Sequence, residues 1–369
     1  MGPIDGHDVK ALVTALSNIR DQTGPQFLHV VTQKGRGYGP AESSPIGTHS
    51  LSKIEKNPKG QNEKLPSYSN IFGQWACAKA DADNKLIAIT PAMREGSDLV
   101  AFSERFPDRY FDVAIAEQHA VTLAAGFACQ GMKPVVAIYS TFLQRGFDQL
   151  IHDVAIQDLN VLFAIDRAGL LEDGPTHSGV FDHSFLRCIP NLVVMAPSNE
   201  VELHAQLEFG YEHEGPACVR YPRGAVTGRA VELAAPIKMG EANTLREGRS
   251  IALLAFGSMV NVALEVADTF DATLVDMRFV KPIDEHLIQT MSQSHEMIVT
   301  IEENALQGGA GSAVNECLLA HGYRGLVLNL GIPDVFIQPE SPALMRKASG
   351  LDAESIGEEI RHHLQKHGT

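Results

Sequence analysis

The chain has 369 residues, 44% of them hydrophobic and 20% charged, the balance of a globular protein with room for two or three domains. A formal net charge of −15 repels phosphate-rich surfaces, so neither a nucleic acid nor an anionic membrane is expected as a partner. No run of about 18 apolar residues suggests a membrane span, and the start, "MGPIDGHDVK", lacks the basic and apolar stretches of a signal peptide, so a cytoplasmic protein is expected.

Residues 1–65 open with one helical pattern, "HDVKALVTALSNIRDQTG", and one strand, "QFLHVVTQ". A long polar, Gly/Pro-rich tract follows. One helix and one strand cannot bury a core of their own, so this section reads as the tail of a third, truncated α/β domain. From residue 66 apolar runs rich in Val, Ile and Leu recur: "KLIAIT", "YFDVAI", "KPVVAIYS", "NVLFAID", "NLVVMAP" and "ACVRYP". Helical patterns such as "SYSNIFGQWACAKA", "GFDQLIHDVAIQ" and "NEVELHAQLEFGYEH" separate them. Near-continuous apolar strands alternating with helices predict a parallel sheet covered on both faces. The polar "RGAVTGRAVELAAPIKMGEAN" reads as a linker. A second set then follows, "SIALLAFG", "ATLVDMRFV", "MIVTIEEN" and "GLVLNLG". The predicted fold is α/β: two doubly wound sheet domains, 66–234 and 240–369, preceded by the tail at 1–65. The five cysteines are scattered without a CxxC pair and read as small core residues of a reducing compartment.

In "FDVAIAEQHAV", Phe111 to Ile115 read as a buried strand and Glu117 stands where that strand meets a helix of small residues. An unpaired carboxylate there is costly. A helix-start acid complementing the helix dipole accounts for it, and so does a functional acid. Ligands of open parallel sheets bind beyond the carboxyl ends of the strands, and other polar groups gather at the same kind of position. "YSTFLQRGFDQ" offers Tyr139, Phe142 and Arg145, "DRAGLLEDGPTHSG" offers Arg167, Asp173 and His177, and "VRYPRG" offers Arg220 and Arg223. Each has a plain structural reading: an ion pair for Arg167, a core aromatic for Phe142, a turn residue for His177.

Longer strings decide between them. "GPIDGHD", "KGRGYGPAE", "ITPAMREGS", "FPDRYFDVAIAEQHAV", "VAIYSTFLQR", "FAIDRAG", "VRYPRG", "LVDMRFVKP" and "GGAGSAVNE" together resemble the 1-deoxy-D-xylulose-5-phosphate synthase family of thiamine-diphosphate enzymes, in the transketolase superfamily. The resemblance implies a pyrimidine-binding domain and a transketolase-type C-terminal domain. It makes Glu117 the acid on the cofactor's aminopyrimidine nitrogen N1′: burial disfavours a carboxyl's charge, so such a group can share a proton with the ring. It makes Phe142 the ring's stacking partner and Tyr38 a further cofactor contact. His49 and His177 become proton donors or acceptors near the reacting carbons. Asp173, with Tyr139, Arg145, Arg167 and Arg223, meets the substrate, the planar, permanently charged arginines taking its phosphate. Arg220 is the weaker candidate, better suited to packing.

The implied reaction joins pyruvate to D-glyceraldehyde 3-phosphate, giving 1-deoxy-D-xylulose 5-phosphate and carbon dioxide, in a homodimer. The family's GDG…N motif, which holds magnesium against the diphosphate, is missing. No metal ligand is therefore assigned to this chain, and Mg2+ is expected on an N-terminal domain or a separate subunit. Without that half the chain is expected to be inactive alone. A non-catalytic dimerisation fragment and the beta-like subunit of a split transketolase or 2-oxo-acid dehydrogenase are the alternatives. "LQGGAGSAVNE" looks like a phosphate loop before a helix but lacks G-x-G-x-x-G, and a structural role is expected there.

Overall fold

A computed structural model describes residues 1–43, 65–228 and 236–368. His49, most of the polar tract and the middle of the linker lie outside the described residues. The chain divides into two compact units, Met1–Glu63 and Lys64–Thr369.

In the first unit β1 (Ile4–Asp5) pairs in parallel with β2 (Val30–Val31), and a helix, Val9–Arg20, joins them. Asp8 caps that helix by accepting from the amides of Lys10 and Ala11, both at 3.0 Å. The predicted strand "QFLHVVTQ" shortens to two residues, because no third strand among the described residues pairs with it.

The second unit contains two sheets. Strands β3 (Leu86–Thr90), β4 (Tyr110–Asp112), β5 (Lys133–Tyr139), β6 (Leu162–Asp166), β7 (Val193–Met195) and β8 (Ala217–Arg220) are all parallel, in the order β7-β8-β6-β5-β3-β4. Alternation along β5 shows why both faces are covered. Val136 and Ile138 enter one apolar cluster, Val135 and Ala137 another. Beyond the linker lie β9 (Asn243–Arg246), β10 (Ile251–Ala255), β11 (Thr273–Asp276), β12 (Phe279–Lys281), β13 (Met297–Ala305) and β14 (Leu326–Ile332). Five of these form a second sheet, in the order β14-β13-β10-β11-β9, with only β9 antiparallel.

The predicted strand "ATLVDMRFV" is in fact two. Arg278 takes a positive φ of 53°, the chain turns, and β12 leaves its own domain to pair antiparallel with β7 as the seventh strand of the first sheet. Arg278 is buried there against Glu202, Nη2 to Oε1 at 2.5 Å. One apolar cluster also runs from Val194 and Cys218 into Ala252 and Leu254, so the two sheets share a core.

Cys77, Cys218 and Cys317 are the small buried residues expected, whereas Cys129 and Cys188 are exposed. The strand predicted over Phe111–Ile115 ends at Asp112. It lies at the sheet edge, and Ile115 is 72% exposed.

Candidate functional site

Glu117 is reached through a tight joint. Asp112 Oδ1 accepts from the amides of Ala92 and Ala114, at 3.0 and 2.9 Å, and Ala114 takes a positive φ of 56° before the helix Glu117–Cys129 begins. The helix has no side-chain cap, and the Glu117 carboxyl bonds none of its own first amides. Dipole complementarity alone does not explain this acid. Its side chain is 4% exposed, and Oε2 has no aligned hydrogen bond. Its one ionic partner among the described residues is Arg145 Nη1, 2.9 Å away.

Arg145 comes from the segment after β5, which changes winding repeatedly: α-helical at Ser140–Leu143, 3-10 at Gln144–Gly146, α-helical again at Phe147–Gln149, and π at Leu150–Ala155. A 3-10 turn advances about 120° per residue rather than about 100°, which shifts where its side chains point. Gly146 seats the turn on the acid's helix: a Cβ there would lie 3.0 Å from Val121 Cγ2 and 3.3 Å from the Glu117 carbonyl oxygen.

A second group forms one continuous pile. The Arg167 guanidinium carbon sits 4.1 Å from the centre of the Tyr139 ring, Tyr139 stacks on Phe142 at 5.2 Å and 11°, and Phe142 meets His177 edge-on at 5.6 Å. Burial pushes the Tyr139 phenol up, so it stays protonated as a donor. The Thr176 hydroxyl lies 2.9 Å from His177 Nδ1 and the Thr141 hydroxyl donates to the Thr176 carbonyl at 3.2 Å, which ties the two strand-end loops together.

Arg167 is both structural and available. Its Nη1 donates to Gly96 O at 2.6 Å, Ser69 Oγ at 3.3 Å and Asp166 Oδ2 at 2.5 Å. Its Nε and Nη2 have no hydrogen-bond partner among the described residues. Asp166 is fully buried, and desolvation pushes its carboxyl up against the pull of Arg167. Arg223 Nη1 pairs with Asp173 at 2.9 Å and Glu172 at 3.3 Å, all three at the surface. Arg220 is wholly structural. It is buried, holds Asp182 through two nitrogens at 3.1 and 3.0 Å, and donates to the Gly179 carbonyl. Burial works to raise Asp182, but the Arg220 charge outweighs it and holds the carboxyl low.

Sequence reasoning overlooked the supports: Ser69, Gly96 and Asp166 around Arg167, and the buried pair His183 and Glu302. A charged residue closing the apolar run "FAID" was the visible signal for Asp166. Gly96 is required because a Cβ would lie 2.0 Å from the Tyr139 hydroxyl. The glycine loop "LQGGAGSAVNE" opens no phosphate cradle, because the amides of Ala310 and Gly311 already donate to Glu302, both at 2.8 Å. Tyr38 belongs to the first unit and is exposed there. Among the described residues no three His, Cys, Asp or Glu side chains converge as a metal site requires.

A buried carboxyl oxygen without an aligned partner suits an incoming heterocyclic nitrogen, and Tyr139 and Phe142, on the segment that carries Arg145 to the acid, supply aromatic faces. These residues fit the aminopyrimidine half of thiamine diphosphate.

The comparisons agree in order along the chain. Residues 64–228 match the family model of the transketolase pyrimidine binding domain, 240–356 that of the transketolase C-terminal domain, and 1–32 one described as 1-deoxy-D-xylulose-5-phosphate synthase. A transketolase of Campylobacter jejuni superposes with a TM-score of 0.69 at 18% identity over 83% of this chain and 48% of that one, a likeness of fold. A split gene transketolase, solved as an inactive beta4 tetramer, gives a TM-score of 0.73 at 27% identity over 81% of this chain and 98% of that one. The chain is therefore of the transketolase class, with a thiamine-diphosphate pyrimidine domain. The 1-deoxy-D-xylulose-5-phosphate synthases of Pseudomonas syringae pv. syringae and of Marinomonas sp. are 58% and 59% identical to it over 99% of its length. Over 99% of its length the chain matches these 1-deoxy-D-xylulose-5-phosphate synthases, and it spans 59% of their length.

Proposed function

We propose that this chain supplies the aminopyrimidine and substrate-phosphate half of a thiamine-diphosphate-dependent synthase that joins pyruvate to D-glyceraldehyde 3-phosphate with loss of carbon dioxide. The observation that carries the reading is Glu117, a carboxyl kept out of water with an oxygen that lacks an aligned hydrogen bond. When bound, thiamine diphosphate supplies the carbon nucleophile and the electron sink. Glu117 holds a proton at the ring nitrogen N1′, and Phe142 supports the ring. His177, its Nδ1 held by Thr176, presents Nε2 to a substrate oxygen as donor or acceptor. Arg167 offers its free Nε and Nη2 to phosphate, while Tyr139 donates from its hydroxyl. Arg223 exchanges the Asp173 and Glu172 carboxylates for the same phosphate, the dianion being the stronger partner. Tyr38 as a further cofactor contact and His49 as a proton donor or acceptor belong to the proposal as the resemblance implies them.

The domain division 1–65, 66–234 and 240–369 belongs to the same proposal, with β12 added to the middle sheet. So do an amino-terminal domain that carries the diphosphate and magnesium ligands, on this polypeptide or another, a homodimeric assembly, a cytoplasmic setting and a chain inactive by itself. The split transketolase relative keeps a separate subunit in view as the form that partner takes. Mixing the chain with the amino-terminal domain of a Pseudomonas synthase, thiamine diphosphate and magnesium tests this. Carbon dioxide release from pyruvate that needs both pieces is expected. Release by the chain alone, or none from the mixture, contradicts it.

A further inference from the structure

The resemblance puts Arg145 among the substrate contacts, but the structure places its guanidinium on the acid. Three facts fix that position. Nη1 lies 2.9 Å from Glu117 Oε2, the oxygen that lacks an aligned hydrogen bond. Gly146 packs the 3-10 turn onto the first turn of the acid's helix, so Arg145 cannot retreat far by backbone motion. The Arg145 side chain itself is 54% exposed, while the acid is 4% exposed. A long flexible cation therefore covers a buried anion from the open side, and it can leave for solvent or for another anion without unpacking the core.

The guanidinium stands against the one oxygen that an incoming ring nitrogen would need, so cation and ring compete for the same place. We infer that Arg145 is a displaceable latch on Glu117: it occupies the acid's oxygen until an anionic group, such as a phosphate, draws the guanidinium away and frees that oxygen for the aminopyrimidine. Ring binding and anion binding are then positively coupled through one side chain, and the coupling is reciprocal. The inference rests on the reading of Glu117 as the ring's acid.

The test uses the full chain and a neutral probe, 4-amino-5-hydroxymethyl-2-methylpyrimidine, which carries the ring without the cationic or phosphorylated parts of the cofactor. Its dissociation constant is measured by NMR titration with and without millimolar inorganic phosphate, for the wild type, Arg145→Met, Arg145→Gln and Glu117→Gln. Both Arg145 variants remove a half-exposed side chain, and circular dichroism verifies that they fold. The expected result is ring binding about fivefold tighter in both, the size of an ion pair with one exposed partner. Phosphate is expected to tighten binding to the wild type and to leave both Arg145 variants unchanged. Ring binding that depends on Glu117 but is indifferent to Arg145 and to phosphate overturns the latch alone. Ring binding that Glu117→Gln leaves unchanged, or none by any variant, overturns the ring-site reading and the latch with it.

Discussion

Two arginines three residues apart show how burial decides what a charge does. Arg220 and Asp182 are both out of water, and removal of one leaves the other charge stranded. Arg220→Met is expected to lower the unfolding free energy by about 3–5 kcal/mol, measured by urea titration. Arg223 faces Asp173 and Glu172 at the surface, where such pairs contribute about 0–1 kcal/mol. Arg223→Met is expected to leave the urea midpoint nearly unchanged while it weakens binding of a phosphorylated aldehyde to the assembled enzyme. A loss of stability in Arg223→Met equal to that of Arg220→Met would contradict this division. The sequence separates the two only by their strings: "VRY" lies at the end of an apolar strand and "PRG" in a turn. For Glu117 the string "AIAEQHA" shows a polar residue at a joint, but not that Arg145, 28 positions later, covers it. That pairing depends on a change of helical winding, which periodicity does not encode.

At the scale of elements, strand β5 was fully legible because Val135 to Ile138 are apolar on both faces, the signature of a strand covered on both sides. Ile138→Ala is expected to cost about 2–5 kcal/mol, since its side chain is fully buried in its cluster. The break in "ATLVDMRFV" was not legible. Nothing local distinguishes Phe279 from Thr273, and β12 changes sheets because Glu202, from a distant helix, is there to pair Arg278. The helix Ala310–Ala320 is likewise held from outside itself, its first amides donating to Glu302 of β13. Burial pushes the Glu302 carboxyl up to about 7. Its folded-state value exceeds the unfolded one, so the stability it contributes is present below the unfolded value of 4.5 and is lost as pH rises through about 7. His183, whose Nδ1 lies 2.8 Å from Glu302, is pushed down to about 3 by burial and the Arg220 charge, and acts in the opposite sense as pH falls below 6.5. Because the two groups touch, the acid is isolated in a His183→Asn background, where melting temperatures with and without Glu302→Gln are compared across pH 4.5 to 7. The protein that keeps Glu302 is expected to lose stability relative to the Glu302→Gln variant as pH rises, and parallel curves would contradict the assignment.

Across the whole molecule, the fold class and the parallel order of the strands followed from apolar runs alternating with helices. The family followed from strings too long to arise by composition. The sharing of a core and a strand between the two sheets did not, since side-chain contacts between distant segments leave no periodic trace. The first unit exposes Val9, Val13 and Leu16, three positions along one face of its helix, and its two parallel strands have no further partner among the described residues. Under the proposal above, this face is where the amino-terminal domain seats. A reassembled enzyme is expected to lose affinity between the pieces in Val13→Asp, measured by size-exclusion chromatography, with the fold of Lys64–Thr369 unchanged. At the centre stands the role of Glu117 at the aminopyrimidine ring. It is tested most directly by proton–deuterium exchange at the thiazolium C2 of thiamine diphosphate, followed by NMR in the assembled enzyme with Glu117 or with Glu117→Gln. The expected result is a fall in the exchange rate of about 100- to 10,000-fold in the variant, the range for loss of a positioned acid–base group, and an unchanged rate would contradict the account.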